Sequence, residues 1–213
     1  MSVVIVTGSA GYIGGQTMLT LKDAGHEVYG IDRRDPPAHL RGVPNGFLYQ
    51  DFASDVALSW IIQKQPDAII HCAGTSLVGP SVKNPSEYYN NNVVKTLRLL
   101  DIVKQSMPRC RFVFSSSAAT YGEPKVVPIL ETSETIPTNP YGATKLAIDH
   151  MITSEAAKHA ISAASLRYFN VAGALKAKRG WLAERHNPET HLIPNVLRST
   201  TDNPVKIFGT DWP

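Results

Sequence analysis

A tyrosine and a lysine four residues apart carry the clearest chemistry in this chain. They are Tyr141 and Lys145 in the segment YGATK, and residues at this spacing share one face of a helix. A phenol with a pKa near ~10 is a weak base at neutral pH, but a neighbouring ammonium favours its phenolate. Ser117, which ends the serine triplet 115–117, adds a hydroxyl able to orient a substrate oxygen. Together these residues predict a tyrosine general base.

A glycine-rich turn near the start of the chain is the second chemical feature. The segment VTGSAGYIG, residues 6–14, directly follows an apolar run at residues 3–6. Its three glycines permit a sharp bend, a close approach of backbone to a pyrophosphate and the packing of a helix on a strand; they are Gly8, Gly11 and Gly14. A helix from about Tyr12 would aim its free amides at the phosphates. The turn predicts a dinucleotide site, and in its company Tyr141 and Lys145 fit catalysis better than a solvated helix face.

An aspartate marks the second strand of the predicted dinucleotide site. Asp32 directly follows the apolar segment 27–31, where a carboxylate can accept both hydroxyls of an adenosine ribose. The same charge repels a 2′-phosphate, which favours NAD. Arg33 and Arg34 follow and could bind such a phosphate, so NADP stays open. Asp32 could also cap a turn or a helix.

The composition is that of a globular domain of enzyme size. The 213 residues are 43% hydrophobic and 18% charged, and 21 basic against 18 acidic residues give a net charge of +3. No long basic run indicates a nucleic acid or a membrane surface as partner. Cys72 and Cys110 are too few and too far apart to indicate a metal site or a disulfide. The apolar start lacks the basic flank of a secretion signal, so we expect a cytoplasmic protein.

Strand-like and helical patterns alternate along the chain. The apolar runs that predict strands are residues 3–6, 27–31, 46–50, 68–71, 111–115 and 163–167. Helical spacing of apolar residues covers residues 14–24, 54–65, 86–106 and 141–159. This order predicts an α/β fold, a Rossmann-like doubly wound parallel sheet with helices on both faces and ligands at the carboxyl ends of the strands. The predicted dinucleotide domain covers residues 1–173, and residues 174–213 begin a smaller substrate-binding lobe, with 175–188 as an irregular loop over the site.

With these features the chain resembles the extended short-chain dehydrogenase/reductases, and within them the nucleotide-sugar 4-epimerases, over nearly all 213 residues. The GxxGxxG spacing of the glycine turn is typical of that family. The other motifs that carry the resemblance are HCAG (71–74), LVGPSV (77–82), YYNNNV (88–93), FSSSAATYGEP (114–124), NPYGATK (139–145), LRYFNVAGA (166–174), ETHLIP (189–194) and IFGTDWP (207–213). Their combination is specific.

The resemblance implies an activity. An NAD-dependent enzyme of this kind interconverts UDP-glucose and UDP-galactose by transient oxidation at sugar carbon 4, and acetamido sugars and UDP-pentoses remain open as substrates. Tyr141 would take the proton of the 4-hydroxyl while NAD accepts the hydride. The 4-keto sugar would then turn over and regain the hydride on its other face. The nicotinium charge would join Lys145 in favouring the phenolate of Tyr141.

The resemblance also implies ligand contacts. Residues expected to bind NAD are Gly8, Gly11, Tyr12, Ile13, Gly14, Asp32, Asp51, Phe52, Cys72, Ala73, Gly74, Asn91, Ser115, Tyr141, Lys145 and Tyr168. Those expected to bind the UDP-sugar are Ser117, Tyr141, Asn170, His191, Leu192 and Phe208. Among these, Asp51 and Phe52 would flank the adenine, and Asn170 would contact the sugar phosphates. Ordinary core, cap or surface roles stay open for Asp51, Asn91, Tyr168, His191, Leu192 and Phe208.

Some features depart from the family pattern and leave alternatives open. Thr75 and Ser76 stand where many relatives carry a lysine near the cofactor phosphates. The family continues beyond the point where this chain ends, so a truncated gene product and a fragment both stay open. Without the rest of the lobe, we expect an exposed and poorly ordered apolar surface near residues 174–213. A cofactor-binding module without turnover therefore stays open. A nucleotide-sugar dehydratase is disfavoured, because Ala118 and Ala119 cannot transfer protons.

The resemblance further implies a homodimer. Relatives pair through a four-helix bundle built from the helices that correspond to residues 86–106 and 141–159 of this chain.

Overall fold

A computed structural model describes residues 1–159, 161–177, 180–184, 189–206 and 209. Within these residues, six parallel strands form one sheet in the order β3-β2-β1-β4-β5-β6. The strands are β1 (Val3–Thr7), β2 (Glu27–Asp32), β3 (Gly46–Tyr49), β4 (Ala68–His71), β5 (Arg111–Ser117) and β6 (Ala163–Tyr168). The predicted doubly wound sheet is confirmed, and each strand lies within two residues of its predicted bounds.

Helices connect these strands. They are α1 (Tyr12–Asp23), α2 (Asp55–Lys64), α3 (Val78–Lys83), α4 (Pro85–Tyr88), α5 (Lys95–Ser106), α6 (Pro140–His159) and α7 (Leu192–Arg198). Local chemistry sets their starts: the Ser54 hydroxyl caps α2 by accepting a hydrogen bond from the Ala57 amide, and Pro85 stands in the first turn of α4. A π-helical turn, Tyr89–Val94, joins α4 to α5. The helix predicted over 86–106 therefore exists, but with one wide turn inside it.

Two hydrophobic clusters hold helices to the two faces of the sheet. Ile5 and Val6 on β1 are both fully buried, and because successive strand residues point to opposite faces, each belongs to a different cluster. On one face the cluster includes Val6, Met18, Leu19, Val28, Leu40 and Leu182. On the other it includes Ile5, Ile61, Leu99, Phe112 and Ile148. Helix α1 thus covers one face, and α2, α5 and α6 cover the other, as predicted.

The strand order reverses between β1 and β4. Their register pairs Thr7 with His71 at the carboxyl ends of the two strands, and that of β5 and β6 pairs Ser117 with Tyr168. A crevice opens outside such a reversal point, and ligands of doubly wound sheets bind there. The predicted site residues that follow β1, β4, β5 and β6 therefore share one edge of the sheet.

The prediction of an irregular loop over residues 175–188 is wrong for its described part. Two antiparallel strands, β7 (Ala174–Ala177) and β8 (Gly180–Ala183), form a hairpin there. The hairpin is anchored by Leu182, which is buried in the α1-side cluster, and the Gln16 amide donates a hydrogen bond to its carbonyl at 3.4 Å. Among the described residues of this segment, Leu182 alone is deeply buried. The residues do not alternate cleanly between apolar and polar, so no strand period could be detected.

Helix α7 bears out the expected apolar surface in the C-terminal part of the chain. None of its residues is buried, and Leu192 and Leu197 are 69% and 80% exposed.

In the ranges that the structure describes, no helix has both the length and the apolar character needed to cross a membrane.

Candidate functional site

The approach of helix α6 to the end of strand β5 brings the predicted catalytic residues together. Asn139 caps α6 by accepting a hydrogen bond from the Gly142 amide at 2.9 Å. A Cβ on Gly142 would lie 2.4 Å from the Ala119 carbonyl oxygen, so only glycine lets the helix come this close. Lys145, one turn further on, is 5% exposed and donates to the Ser115 carbonyl at 2.7 Å.

Tyr141 lies between Lys145 and Ser117. The lysine Nζ is 5.8 Å from the centroid of the tyrosine ring, and the Ser117 side chain lies near enough to the phenol to influence its pKa. Ser117 Oγ also accepts from the Ala119 amide at 3.2 Å, which fixes its orientation. The structure thus places the three predicted catalytic side chains beside one another.

The acidities of these groups differ from the expectation drawn from the sequence. Burial raises the pKa of Tyr141, and this outweighs the opposing hydrogen bond from Ser117. Burial also lowers the pKa of Lys145 to about 8, although Cys72 and Asp149 oppose the change. The sequence led us to expect a lowered pKa for the phenol, and the residues of the chain do not produce one. The reason is that removal from water disfavours the charged form of both groups. At neutral pH Tyr141 is a protonated phenol beside a lysine that is still mostly cationic.

The glycine turn forms a tight cradle between β1 and α1. Gly8 adopts a left-handed φ of +70°, and a Cβ there would lie 2.7 Å from the Ala73 amide nitrogen. A Cβ on Gly14 would lie 2.3 Å from the Gly8 carbonyl oxygen, which only glycine permits. The Gly11 amide donates to that same carbonyl at 3.0 Å. Helix α1 begins directly after Gly11 with Tyr12 and Ile13, so its free amides face the turn.

Two further features suit this cradle to a dinucleotide. Gly74 has a φ of +152°, and a Cβ there would lie 3.0 Å from Asn92 Oδ1 and 3.9 Å from Lys145 Nζ. Because Gly74 has no side chain, the backbone of the turn after β4 is accessible between the glycine cradle and Lys145. The Tyr12 hydroxyl donates to the Gly173 carbonyl at 2.7 Å, which ties the end of the cradle to the segment after β6.

Asp32 lies next to the glycine turn and also organises it. Its carboxylate accepts hydrogen bonds from the Ala10 amide at 3.0 Å and from the Arg34 amide at 2.9 Å. The residue is 9% exposed. A carboxylate in this place fits a ribose diol, and the turn-capping role left open by the sequence is present as well.

Asp51 and Phe52 follow the next strand outward and point in different directions. Asp51 accepts from the Ala53 amide at 3.0 Å and from Lys95 Nζ at 2.7 Å. Phe52 is 7% exposed, with its ring 4.7 Å from the His71 ring, centroid to centroid. The Phe52 side chain therefore belongs to the core, and only its backbone remains for the adenine contact predicted for it.

Cys72, Ser115 and Tyr168 line the edge beside Lys145. The Ser115 hydroxyl donates to Cys72 Sγ at 3.7 Å and lies near enough to the phenol of Tyr168 to influence its pKa. Burial raises the pKa of the Cys72 thiol and of the Tyr168 phenol. The Ala73 amide donates to Thr7 Oγ1 at 3.3 Å, so this edge is fixed to β1.

The π-helical turn supplies a site residue, Asn92, that the sequence did not assign. Asn92 is 2% exposed; it accepts from the Thr75 amide at 2.8 Å and donates to Thr144 Oγ1 at 3.0 Å. Asn91, predicted to lie near the cofactor, donates to Thr75 Oγ1 at 3.2 Å. Apolar spacing could not predict this, because a π turn is a local insertion in an otherwise regular helix. Asparagines in the middle of a predicted helix, where they are weak helix formers, were the available signal.

His71 is a second residue that the sequence did not assign. It is fully buried, its Nδ1 is 2.7 Å from Thr7 Oγ1, and its Nε2 is 2.9 Å from Thr96 Oγ1. Burial, and to a lesser extent the Lys145 cation, lowers its pKa to about 3. His71 is thus a neutral link that joins β1, β4 and α5 beneath the site.

His71 gives a testable dependence of stability on pH. The folded chain binds a proton at this residue only near pH 3, whereas the unfolded chain binds it near pH 6.5. Between these values the unfolded state holds the extra proton, so acid lowers stability by about 1.4 kcal/mol per pH unit. Urea unfolding from pH 7 to 4 should show a shallower acid slope for His71→Gln. The exposed His150→Gln variant should keep the parent slope, and an unchanged slope in His71→Gln would contradict the assignment.

The remaining predicted substrate residues come from the C-terminal part of the chain. Asn170 is exposed and follows β6 by two residues. His191 precedes α7, with its Nδ1 2.8 Å from Glu189 Oε1. Phe208 lies outside the described residues, and Leu192 opens α7 with its side chain largely exposed. Across the described ranges, no cluster of three or more potential metal ligands occurs.

A family model, a protein of known sequence and a solved structure that resemble this chain are all described as epimerases. The family model described as NAD dependent epimerase/dehydratase family matches residues 4–212. The chain is 45% identical over 218 residues to a UDP-glucose 4-epimerase of Corynebacterium glutamicum, which covers 99% of this chain and 63% of that protein. It is similar to the crystal structure of UDP-glucose 4-epimerase from Brucella ovis in complex with NAD, with a TM-score of 0.84 and 37% identity over 92% of this chain and 60% of that one.

The name of a third similar protein includes two sugars. The UDP-Glc/GlcNAc 4-epimerase from Campylobacter jejuni gives a TM-score of 0.75 and 32% identity, over 81% of this chain and 54% of that one. The chain thus spans less than two thirds of the length of these relatives.

Proposed function

The chain belongs to the NAD dependent epimerase/dehydratase family, and we propose that it acts as an NAD-dependent UDP-sugar 4-epimerase with UDP-glucose and UDP-galactose as its substrate pair. The observation that carries this proposal is that Tyr141 lies beside both Lys145 and Ser117, at the same sheet edge as the glycine cradle. The names of its relatives support the choice of sugar.

The residues present fit the cofactor. The glycine turn would hold the pyrophosphate, Asp32 the adenosine ribose and Lys145 the nicotinamide ribose. NAD, when bound, supplies a hydride acceptor for sugar carbon 4 and returns the hydride to the same carbon. Arg33 and Arg34 are 64% and 70% exposed in their side chains, while Asp32 is buried beside the turn, which supports NAD over NADP.

Tyr141 would serve both as base and as acid. It would accept the proton of the sugar 4-hydroxyl in the oxidation and return it in the reduction, because an isomerisation consumes no net proton. The raised pKa of its phenol, caused by burial, suits the second role. Lys145 favours the charged form in the first role, and Ser117 would orient the sugar oxygen.

The neighbouring residues do not support the dehydratase alternative. Ala118 and Ala119 form a short 3-10 turn directly after β5, where a dehydratase would need an acid and a base. Methyl groups cannot transfer the protons that elimination of water requires.

Replacement of Asp32 tests the cofactor part of the proposal. We expect Asp32→Ala to weaken NAD binding roughly 10- to 100-fold, because hydrogen bonds to a charged acceptor are lost. Isothermal titration of the chain, freed of bound nucleotide, measures this. Asp35→Ala removes an exposed carboxylate three residues away and should bind NAD like the parent. Equal affinity in Asp32→Ala would exclude the ribose contact.

A homodimer in the cytoplasm completes the proposal. Val94, at the end of the π-helical turn, and Leu97, on α5, are 50% and 41% exposed, which supports pairing through this part of the predicted bundle. Cys72 and Cys110 are free thiols, as expected in a reducing compartment. Light scattering after gel filtration should give twice the chain mass, and a monomer at all concentrations would remove the dimer.

The activity itself is tested with UDP-galactose. Purified protein should form UDP-glucose without added NAD, and UDP-N-acetylglucosamine and a UDP-pentose offered in parallel report the preferred sugar. Failure with every sugar, although NAD is bound, would favour a cofactor-binding module without turnover.

A further inference from the structure

Lys95, the first residue of α5, makes two short contacts at the predicted cofactor edge. Its Nζ is 2.7 Å from Asp51 Oδ2 and 2.8 Å from Asn91 Oδ1, and its side chain is only 22% exposed. Asp51 lies 44 residues earlier in the chain, directly after β3. A lysine held by a distant carboxylate and by a π-turn asparagine is a fixed part of the site, since a freely solvated lysine would not keep both bonds.

These contacts belong to a chain of hydrogen bonds across the edge of the sheet. From Lys95 it continues through Asn91 to Thr75 Oγ1, and from Thr75 through Asn92 to Thr144 on α6. The loops after β3 and β4, which β2 and β1 separate in the sheet, are thereby joined to one π turn. Lys95 is the link in this chain that reaches Asp51.

The charges around Asp51 identify Lys95 as its main partner. Arg33 Nη1 is 4.0 Å from Asp51 Oδ2 with a side chain 64% exposed, whereas Lys95 is closer and more buried. Burial alone would raise the pKa of Asp51, but the bond from Lys95, helped by the Ala53 amide, lowers it. The Asp51 side chain is therefore a charged carboxylate that its two partners hold in one orientation.

We propose that Lys95 is a positioning residue for the cofactor: it orients the Asp51 carboxylate to accept a hydrogen bond from the exocyclic amino group of adenine. This inference rests on the proposed function, since it requires a dinucleotide with its adenine beside the end of β3. The charged partner of Asp51 is thus a residue of α5, while Thr75 in the loop after β4 is neutral. A carboxylate accepts but does not donate, so it distinguishes adenine from a base without an amino group.

The test compares two cofactors on matched variants. NAD and nicotinamide hypoxanthine dinucleotide, which has no amino group on its base, are titrated calorimetrically into the parent, Lys95→Met and Lys95→Arg. Lys104→Met is the control: it lies on the same helix, has the same 22% side-chain exposure and pairs with Asp101 and Glu155. We expect Lys95→Met to weaken NAD roughly tenfold and the hypoxanthine analogue far less. Lys95→Arg should restore most of the preference, and Lys104→Met should bind both like the parent.

Two other outcomes would overturn this inference, and a third would overturn the proposed function as well. Unchanged NAD affinity in Lys95→Met, with a parent that binds NAD, would overturn this inference alone. Equal loss for both cofactors would also overturn it, because that result describes a structural lysine without a role in reading the base. A parent that binds neither dinucleotide would overturn the proposed function and this inference with it.

Discussion

Replacement of Tyr141 by phenylalanine should lower the conversion of UDP-galactose roughly 10²- to 10⁴-fold while NAD binding stays at the parent level. The change removes one hydroxyl, and positioned proton transfer contributes about 10²- to 10⁴-fold to such reactions. The ring itself remains, so α6 keeps its place against β5. Lys145 keeps its bond to the Ser115 carbonyl, and the glycine cradle is untouched. The measurement is initial rate together with NAD affinity in the same preparation.

The matched control is Tyr29→Phe, which removes a phenol from β2 that is hydrogen bonded to Glu27 and packs edge-on against Trp60. That variant should retain the parent rate. A Tyr141→Phe protein with the parent rate would refute the proton-transfer role. Loss of NAD binding together with activity would instead make Tyr141 a cofactor-binding residue first.

Gly14→Ala should destabilise the chain and remove the dinucleotide cradle. The added methyl would lie 2.3 Å from the Gly8 carbonyl oxygen and 2.9 Å from its carbon, so either the turn or α1 must move. Overpacking of this kind costs on the order of 3 kcal/mol. Because Gly8 and Gly11 share the displaced carbonyl, NAD affinity should fall as well. Denaturant unfolding and NAD titration measure the two effects.

Two other glycines separate steric overlap from the general cost of alanine. Gly79 has open space around its Cβ position and no positive φ, so Gly79→Ala should match the parent. Gly25 also has open space but a φ of +82°, so Gly25→Ala should show only the modest strain of the left-handed backbone. Parent-like stability in Gly14→Ala would mean that α1 does not pack on the turn as closely as described.

The sheet was predictable because each of its strands is visible in the sequence as a local pattern. Each is a short and largely apolar run, and a parallel sheet buried on both faces needs such runs. Among the helices, α5 carries the clearest apolar stripe, with Leu99, Leu100 and Val103 buried. The hairpin of β7 and β8 was missed because its stability comes from one anchor, Leu182, in a cluster formed by residues far earlier in the chain.

The catalytic residues were predictable for a similar reason: Tyr141 and Lys145 share one helix, so local spacing already places them together. The supporting residues were not. Lys95 meets Asp51, and His71 meets Thr7 and Thr96, only after the strands have paired. The pKa of Tyr141 also depends on how deeply packing buries it, and no spacing in the sequence reports that depth.

The most direct test of the proposed activity follows the hydrogen at carbon 4 of the sugar. Purified protein, without added NAD, is incubated in ordinary water with UDP-galactose that carries deuterium at carbon 4, and the products are analysed by mass spectrometry and NMR. We predict UDP-glucose with the deuterium retained at carbon 4, since the same hydride leaves and returns within the site. Unchanged UDP-galactose, or UDP-glucose with solvent hydrogen at carbon 4, would contradict transient oxidation by this protein.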